Sequence, residues 1–410
     1  MRVTVTLALE IPDHQVSVKS IERCVGEAMV RFRSEAWQQF AWAVEEQALA
    51  QRPPGALRVK GWERRSLWTT AGPVQFKRRR FLSANDQGTL RLFDMRVGLN
   101  AWQRTTAATD QLMAEAAADI PGYQMAANSL GRLWGERPSA MLLWHAVQRV
   151  ARPILKEAEE LRRSVFEWGD LPGWERPAPS FLALEVDSTY LPSWRGLGKD
   201  HEVHLGLGYT GKGQRGRRRW LQEKTLCAGL KDIQTFGRDF FAAMQARFNV
   251  TEVPCGLMTC DGDQRLRQLR IEHFPRMVGQ LDKAHLGWKL DEAYGPARRD
   301  RRRQLLTLLC SEKRGAACRE VRRDAWKLRS RRGQLRDLLS YLEGPGQDLY
   351  GARTLRRRGV KLPPHMEGSA GIERNIGILI ARRMKRRGMG WTKQGASSLL
   401  AVRLRLFNHA

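Results

Sequence analysis

The sequence has no CxxC pair and no paired cysteine or cysteine–histidine spacing among its six cysteines (Cys24, Cys227, Cys255, Cys260, Cys310 and Cys318). That argues against a zinc module and against a disulfide framework in a chain of this size, and most of the thiols are expected to be buried as small apolar groups. No run approaches the roughly 18 to 20 consecutive apolar residues of a membrane-spanning helix. The opening MRVTVTLALEIPDH carries charge too early and too sparsely for a secretory signal. A cytoplasmic protein with no membrane partner is expected. There is no internal repeat and no extended low-complexity segment, and with 42% hydrophobic residues disorder is not the default. Acidic residues are scarce, 43 against 71 lysines and arginines, leaving a formal charge of +28 that is spread along the chain. A field of that sign attracts polyanions and speeds their encounter, so nucleic acid is the leading partner. A highly charged soluble protein is the bland alternative. At 410 residues the chain is too long for one core, and two or three domains are expected.

What is present falls into segments. Residues 1–54 form an N-terminal helical region: from Ser17 to about Ala50 no proline intervenes, and Ile21, Cys24, Val25, Ala28 and Phe32 recur at helical spacing until QRPPG. Residues 55–100 read as a small antiparallel meander, with β-formers on both sides of Ala71-Gly72-Pro73 and of Asn85-Asp86-Gln87-Gly88. Its run Lys77, Arg78, Arg79, Arg80 suits phosphate contact or a charged strand edge that deters aggregation. Residues 101–168 are helical, broken at Ile120-Pro121-Gly122 and again between Gly135 and Ser139; YQMAANSLGRLW, a turn and a longer helix capped by Ser139 resemble a helix-turn-helix. Residues between Ser139 and Arg149 are then the candidates for base readout. GDLPGWERPAPS, within 169–180, is a linker.

From 181 to 288 strands and helices alternate, which predicts an α/β fold with a mixed sheet covered by helices. FLALEVDSTYL, HEVHLGLGYTG and RRWLQEKTLCAGL are read as three strands, IQTFGRDFFAAMQARFNV as a helix, CGLMTCDGD as a fourth strand, DQRLRQLRIEHF as a helix and RMVGQLDKAHLGWKL as a strand leading into Asp282. Residues 289–365 are helical and strongly basic, and 366–410 hold the C-terminal helices. Arginine clusters recur at 215–219, 298–303 and 353–358.

Three acids stand out by position: Asp187 at the end of the first strand, Asp261 at the end of the fourth, and Glu373 early on the last long helix, flanking the stripe Ile372, Ile376, Leu379, Ile380. Glu185 lies two residues before Asp187 and so on the same side of the strand. Clustered carboxylates resist ionisation unless a cation sits among them, and hard divalent ions take oxygen ligands. Two such ions about 4 Å apart suit in-line phosphoryl displacement. Taken singly, each aspartate also fits a turn or cap after a strand.

These residues together resemble the ribonuclease-H-like catalytic domain of DDE transposases, in particular the bacterial insertion-sequence enzymes of the ISLre group. The likeness covers roughly residues 55–410 and is carried by RSLWTTAGPVQFKRRRFL, IPGYQMAANSLGRLWGERPS, EVDSTYL, TCDGD and GIERNIGILIARRMKRRGMGWTKQGASSLL, the last being the most specific. The resemblance implies a DNA transposase that cuts element ends and joins the 3′ hydroxyl to target DNA. Its catalytic and metal-binding residues would be Asp187, Asp261 and Glu373, with two magnesium (or manganese) ions. Asp263 competes with Asp261 and Glu367 with Glu373. DKAH, Asp282 to His285, looks like the Cys-or-Asp, two residues, His element of several transposase superfamilies, so His285 would contact phosphate or be a structural histidine. Residues 289–365 would be a helical insertion before the glutamate helix. Arg382, Arg383, Lys385, Arg386 and Arg387, with Lys77 to Arg80, would contact DNA. Ser188 stands where that family usually has glycine. A homodimer or larger assembly on DNA, in the bacterial nucleoid, is implied; a catalytically silent DNA-binding descendant, or a structure-selective nuclease or resolvase on the same fold, are the alternatives.

Overall fold

The computed structural model describes residues 2–6, 8–10, 16–53, 55–83, 88–196, 200–343, 352–357, 359–366, 371–385 and 388–409. The chain divides into two compact units, residues 1–150 and 151–410.

In the first unit, helix α1 (Val18–Ala50) begins where two serines cap each other: the Ser20 amide donates to Ser17 Oγ (3.2 Å) and the Ser17 amide to Ser20 Oγ (2.8 Å). Its apolar stripe is only partly covered. Ala28 and Ala41 are buried, whereas Ile21, Val25 and Phe32 stay exposed; among the described residues the bonds tying α1 to the meander run from Arg33 to Glu46. The meander is β1 (Leu57–Thr69) and β2 (Gly72–Ser83) in antiparallel register, with β3 (Thr89–Leu90) added to β2. Then come α2 (Leu92–Val97), α3 (Ala107–Asp119), α4 (Tyr123–Trp134) and α5 (Ala140–Glu167). The breaks fall where glycine and proline predict them, and Ser139 Oγ accepts the Leu142 amide (3.1 Å). The division between the units lies inside α5.

The basic run of β2 does not present one charged face. Arg78 is buried and meets Asp94 of α2 and Glu63 of β1 (3.2 Å to Glu63). Arg79 is held by Glu45 (2.8 Å) and Glu46 (2.7 Å) of α1. Strand alternation turns Arg78 inward beside Phe76, and acids arriving from three elements supply the countercharge. Arg80 is half-buried, and of the four residues Lys77 alone is exposed.

In the second unit, β4 (Leu182–Leu191), β5 (His201–Tyr209), β8 (Thr225–Gly229), β9 (Gly256–Cys260) and β10 (Val278–Leu281) form one mixed sheet in the order β10-β9-β4-β5-β8. β5 is antiparallel to β4 and to β8, and β9 is parallel to β4 and to β10. A separate two-stranded ribbon, β6 (Gly211–Arg215) with β7 (Arg218–Gln222), interrupts the connection from β5 to β8. The stretch RRWLQEKTLCAGL is therefore two strands and not one; the chain turns at Glu223, whose φ of 49° leaves the extended region.

The period-two pattern of β4 sorts its side chains. Leu182, Leu184 and Val186 pack beneath α6 (Ile233–Phe248) and α7 (Gln264–His273) with Phe236, Phe240, Met244, Leu266 and Leu269. A Cβ at Gly206 would stand 2.5 Å from the Phe240 ring, so the close seat of α6 on β5 requires glycine there. A helical cluster follows: α8 (Lys283–Tyr294), α9 (Arg299–Cys310), α10 (Arg314–Lys327) and α11 (Arg332–Glu343) share a core of Leu286, Leu290, Leu305, Val321, Leu335 and Leu338. It starts earlier than the sequence suggests: DKAHLGWKL is not strand but helix, because Leu286, Leu290, Ala293 and Tyr294 repeat at helical spacing and the Leu286 amide donates to the Asp282 carbonyl (3.1 Å).

After α12 (Ala352–Arg357), the short α13 (Ile372–Ile376) runs into a π-helix, Gly377–Lys385, and the chain ends in α14 (Lys393–His409). The wider turn misplaces carbonyls, and buried Arg403 of α14 donates to those of Leu379 (2.7 Å) and Ile378 (2.8 Å). Asn408 of α14 bonds both the amide and the carbonyl of Leu226 (2.9 Å each), fastening α14 to β8. Among the described residues no helix is long and apolar enough to cross a membrane, and of the cysteines Cys227 and Cys318 are buried and the others half-buried.

Removing Arg78 leaves Asp94 uncompensated in the interior. Arg78→Ala is expected to destabilise the protein by about 3–5 kcal/mol, read as a lower urea midpoint; a midpoint unchanged from the parent would show that the pair carries no stability.

Candidate active site

The register of the sheet determines which acids meet. Val186 pairs with Cys260, and Cys260 with Leu281, across three neighbouring parallel strands. The next residue on each is an aspartate, so Asp187, Asp261 and Asp282 stand level at one edge. Asp187 is buried. Helix α8 starts directly after Asp282 and carries His285 in its first turn, with Nδ1 bonded to Asp282 Oδ2 (2.8 Å). That leaves Nε2 facing Glu373 Oε1 at 3.8 Å. Asp187, His285 and Glu373 each offer a ligand atom within 4.8 Å of the others'.

Glu373 comes to this place through the second acid of β4. Glu185 is almost wholly buried, and its carboxylate accepts the amides of Gly371 (2.9 Å) and Ile372 (2.8 Å) at the start of α13, and the Tyr209 hydroxyl (2.6 Å). One strand face thus carries one carboxylate that holds the start of the glutamate helix and another that faces the glutamate itself. Burial pushes the Glu185 pKa up, against the opposing pull of those donors and of Lys212.

The other acids divide by role. Asp261 acts electrostatically on Asp187 and His285 but is not one of the three close donors. Its Oδ1 accepts the Asp263 amide (2.8 Å), and its carbonyl accepts the Tyr341 hydroxyl of α11 (2.7 Å). Asp263 caps α7 through the Arg265 amide (2.8 Å) and pairs with the Arg265 guanidinium (2.8 Å), so it faces away as a structural cap. Glu367 lies outside the described residues. Ser188, on the opposite face from Asp187, bonds His204 Nδ1 (2.7 Å).

Burial, with the charges of Asp261 and Glu373 behind it, pushes the Asp187 carboxyl up to about 6, against the Ser188 amide and His285, which favour ionisation. The His285 pKa is raised, first by its bond to Asp282 and then, against burial, by Asp187 and Asp261.

The basic residues after Glu373 separate as those of β2 do. Arg383 is buried, its guanidinium 5.7 Å from the Trp391 ring, and so packs in the core and not at a DNA surface. The Lys385 ammonium bonds Thr189 of β4, and Arg382 is exposed. Arg386 and Arg387 lie outside the described residues. Sequence reading named Asp187, Asp261, Glu373 and His285 but passed over the function of Glu185 and Asp282; the signal for Glu185 was a second acid at the same strand parity as Asp187.

The sequence matches the profile described as "Uncharacterised protein family (UPF0236)" over residues 12–409. The chain belongs to that family. A curated relative from Streptococcus gallolyticus, described as "UPF0236 protein in vanSb 3'region", is 24% identical over 373 residues, covering 84% of this chain and 74% of its own length. In this UPF0236 chain the matched span contains every acid of the cluster and most of each unit.

Two outcomes follow from the geometry. Because the folded Asp187 pKa lies above its unfolded value of about 3.9, the metal-free fold holds the extra proton and loses stability as pH rises between the two, by roughly 3 kcal/mol in full. Asp187→Asn in EDTA is thus expected to melt higher than the parent at pH 7 and to lose that advantage below about pH 4; equal melting at pH 7 would contradict a strained carboxylate. Glu185→Gln removes the charge and one of the two acceptor oxygens, which are shared between the Tyr209 hydroxyl and the two backbone amides, and should cost about 1–3 kcal/mol and speed hydrogen exchange in the peptide beginning at Gly371. Exchange that stays at the parent rate there would remove Glu185 from the role of helix anchor.

Proposed function

We propose that this UPF0236 chain is a metal-dependent DNA transposase with a ribonuclease-H-like catalytic fold, cutting DNA at element ends and joining the freed 3′ hydroxyl to a target. The observation that carries the reading is the convergence of Asp187, His285 and Glu373, with Asp261 beside them, inside a chain of charge +28. The first strand of the five-stranded sheet carries Asp187, the fourth ends directly before Asp261, and the acid of the late helix meets Asp187, in the order that the resemblance to DDE transposases implies.

The donor set fits a hard divalent cation. A carboxylate that burial, and after it the neighbouring acids, keeps from ionising is relieved by positive charge placed beside it, and oxygen donors suit magnesium or manganese. Asp187, Glu373 and His285 would hold one ion; Asp261, on the strand next to Asp187, would share Asp187 in holding a second. Bound there, the ions would activate an attacking oxygen and stabilise a leaving one in phosphoryl displacement.

The chain's own residues do the rest. Asp282 fixes the His285 ring and leaves Nε2 toward the centre, where it can ligate or hold a proton. Glu185 fixes the start of α13, so that Glu373 is positioned before any ligand arrives. Exposed arginines and lysines would hold the phosphate backbone without choosing bases, and α5 from Ser139 to Arg149 would read the element end.

Purified protein incubated with end-bearing DNA and magnesium or manganese is expected to cleave and join it, and Asp187→Ala or Glu373→Ala to lower both by at least about a hundredfold. Equal activity in the variants would refute the assignment. Cleavage without joining would make the enzyme a nuclease or resolvase, and sequence-specific binding with no cleavage a silent descendant.

A further inference from the structure

The ribbon of β6 and β7 is not used by the acid cluster, yet its charge is all of one sign. Between Gly211 and Gln222 it holds Lys212, Arg215, Arg217, Arg218 and Arg219 and no acid. Everything from Gln214 to Trp220 is exposed. The register sets Arg215 directly opposite Arg218. Like charges facing each other across an antiparallel pair destabilise it, so the tip is built at a cost that an anion would remove.

The rest of the ribbon is stiffened. Trp220 lies across Gly213, where a Cβ would fall 2.3 Å from the indole, and Arg219 Nε donates to Gln214 Oε1 (3.0 Å) on the paired strand. At the root, Leu221 comes within 3.0 Å of where a Cβ at Gly371 would stand, and the Lys212 ammonium lies 5.9 Å from the Tyr209 ring. The ribbon therefore grows from the contact that positions Glu373.

We propose that the β6–β7 ribbon is a duplex-DNA-binding arm, whose arginine tip grips the phosphates flanking a groove and tethers the duplex beside the acid cluster. A two-stranded antiparallel ribbon fits the major groove of B-DNA, about 12 Å wide. Backbone contacts of this kind give affinity and register rather than sequence choice. The arm deepens the reading of the chain as a DNA enzyme and rests on it for the identity of the polyanion.

The test uses the full chain, a fluorescein-labelled random-sequence duplex, and anisotropy over a range of salt concentrations. The triple variant Arg215→Ser, Arg217→Ser, Arg218→Ser is expected to flatten the slope of log affinity against log salt by about 2 to 3, and to weaken binding at physiological salt on the order of tenfold to a hundredfold. A charge-matched control changes three exposed arginines elsewhere in the unit, Arg176→Ser, Arg238→Ser, Arg247→Ser. It is expected to move the slope by less than one contact. Equal slopes in the two triples overturn the arm, as does an unaltered slope in the ribbon variant, or tighter binding of duplex RNA than of duplex DNA. Manganese binding to the parent, lost in Asp187→Ala and retained in the ribbon variant, separates the two readings. If the arm fails while that pattern holds, the catalytic reading stands; if DNA binding depends on the ribbon while manganese ignores Asp187, the arm stands and the catalytic reading falls.

Discussion

A buried carboxylate held by hydrogen bonds from a helix start and a tyrosine organises the second unit. Glu185 sits in the middle of a central strand, where an ionised side chain is costly unless hydrogen bonds replace its water. The amides of Gly371 and Ile372 and the hydroxyl of Tyr209 do so. Those amides open a helix, where backbone N–H groups have no intrahelical partner and the dipole favours negative charge, so both sides of the contact are satisfied by the same bonds. Because side chains alternate along a strand, the residue two places on from Glu185 faces the same helix. Asp187 and Glu373 are neighbours as a geometric consequence of that anchor.

Around this contact the fold manages repulsion. Three aspartates stand level on parallel strands, and each is constrained differently: Asp187 by burial and the Ser188 amide, Asp261 by the Asp263 amide and by Tyr341, Asp282 by His285. The helical cluster from α8 to α11 is tied into the centre at both ends, through His285 at its start and Tyr341 near its end. A segment that reads as a basic insertion thus also fixes the backbone that bears the second aspartate.

Much of this was legible in the sequence where local chemistry is decisive. Gly135, Pro138 and Ser139 delimit α4 and α5 because glycine, proline and a capping hydroxyl act within a turn or two of chain. The strand containing Asp187 and the one ending before Asp261 are apolar runs whose alternation or abrupt end is visible in one dimension. What stayed hidden depends on partners far along the chain. The anchor for Glu185 lies 186 residues away, and the countercharges of Arg78 and Arg79 come from α1, β1 and α2, so a basic run looked available that is mostly engaged internally. DKAHLGWKL misled because its apolar residues satisfy a short strand as well as one helical face, and only its packing on the following helices decides. The ribbon was merged into a strand because nothing local marks Glu223 as a positive-φ turn.

The order of synthesis gives the Glu185 contact a further meaning. A nascent chain presents Glu185 and Tyr209 long before the two amides that complete the contact, so those donors are missing until Gly371 and Ile372 emerge. A product truncated before that point loses Glu373 and also leaves open to water the strand face that the start of α13 covers. The acid cluster and the cover over its central strand therefore arrive together, late in synthesis.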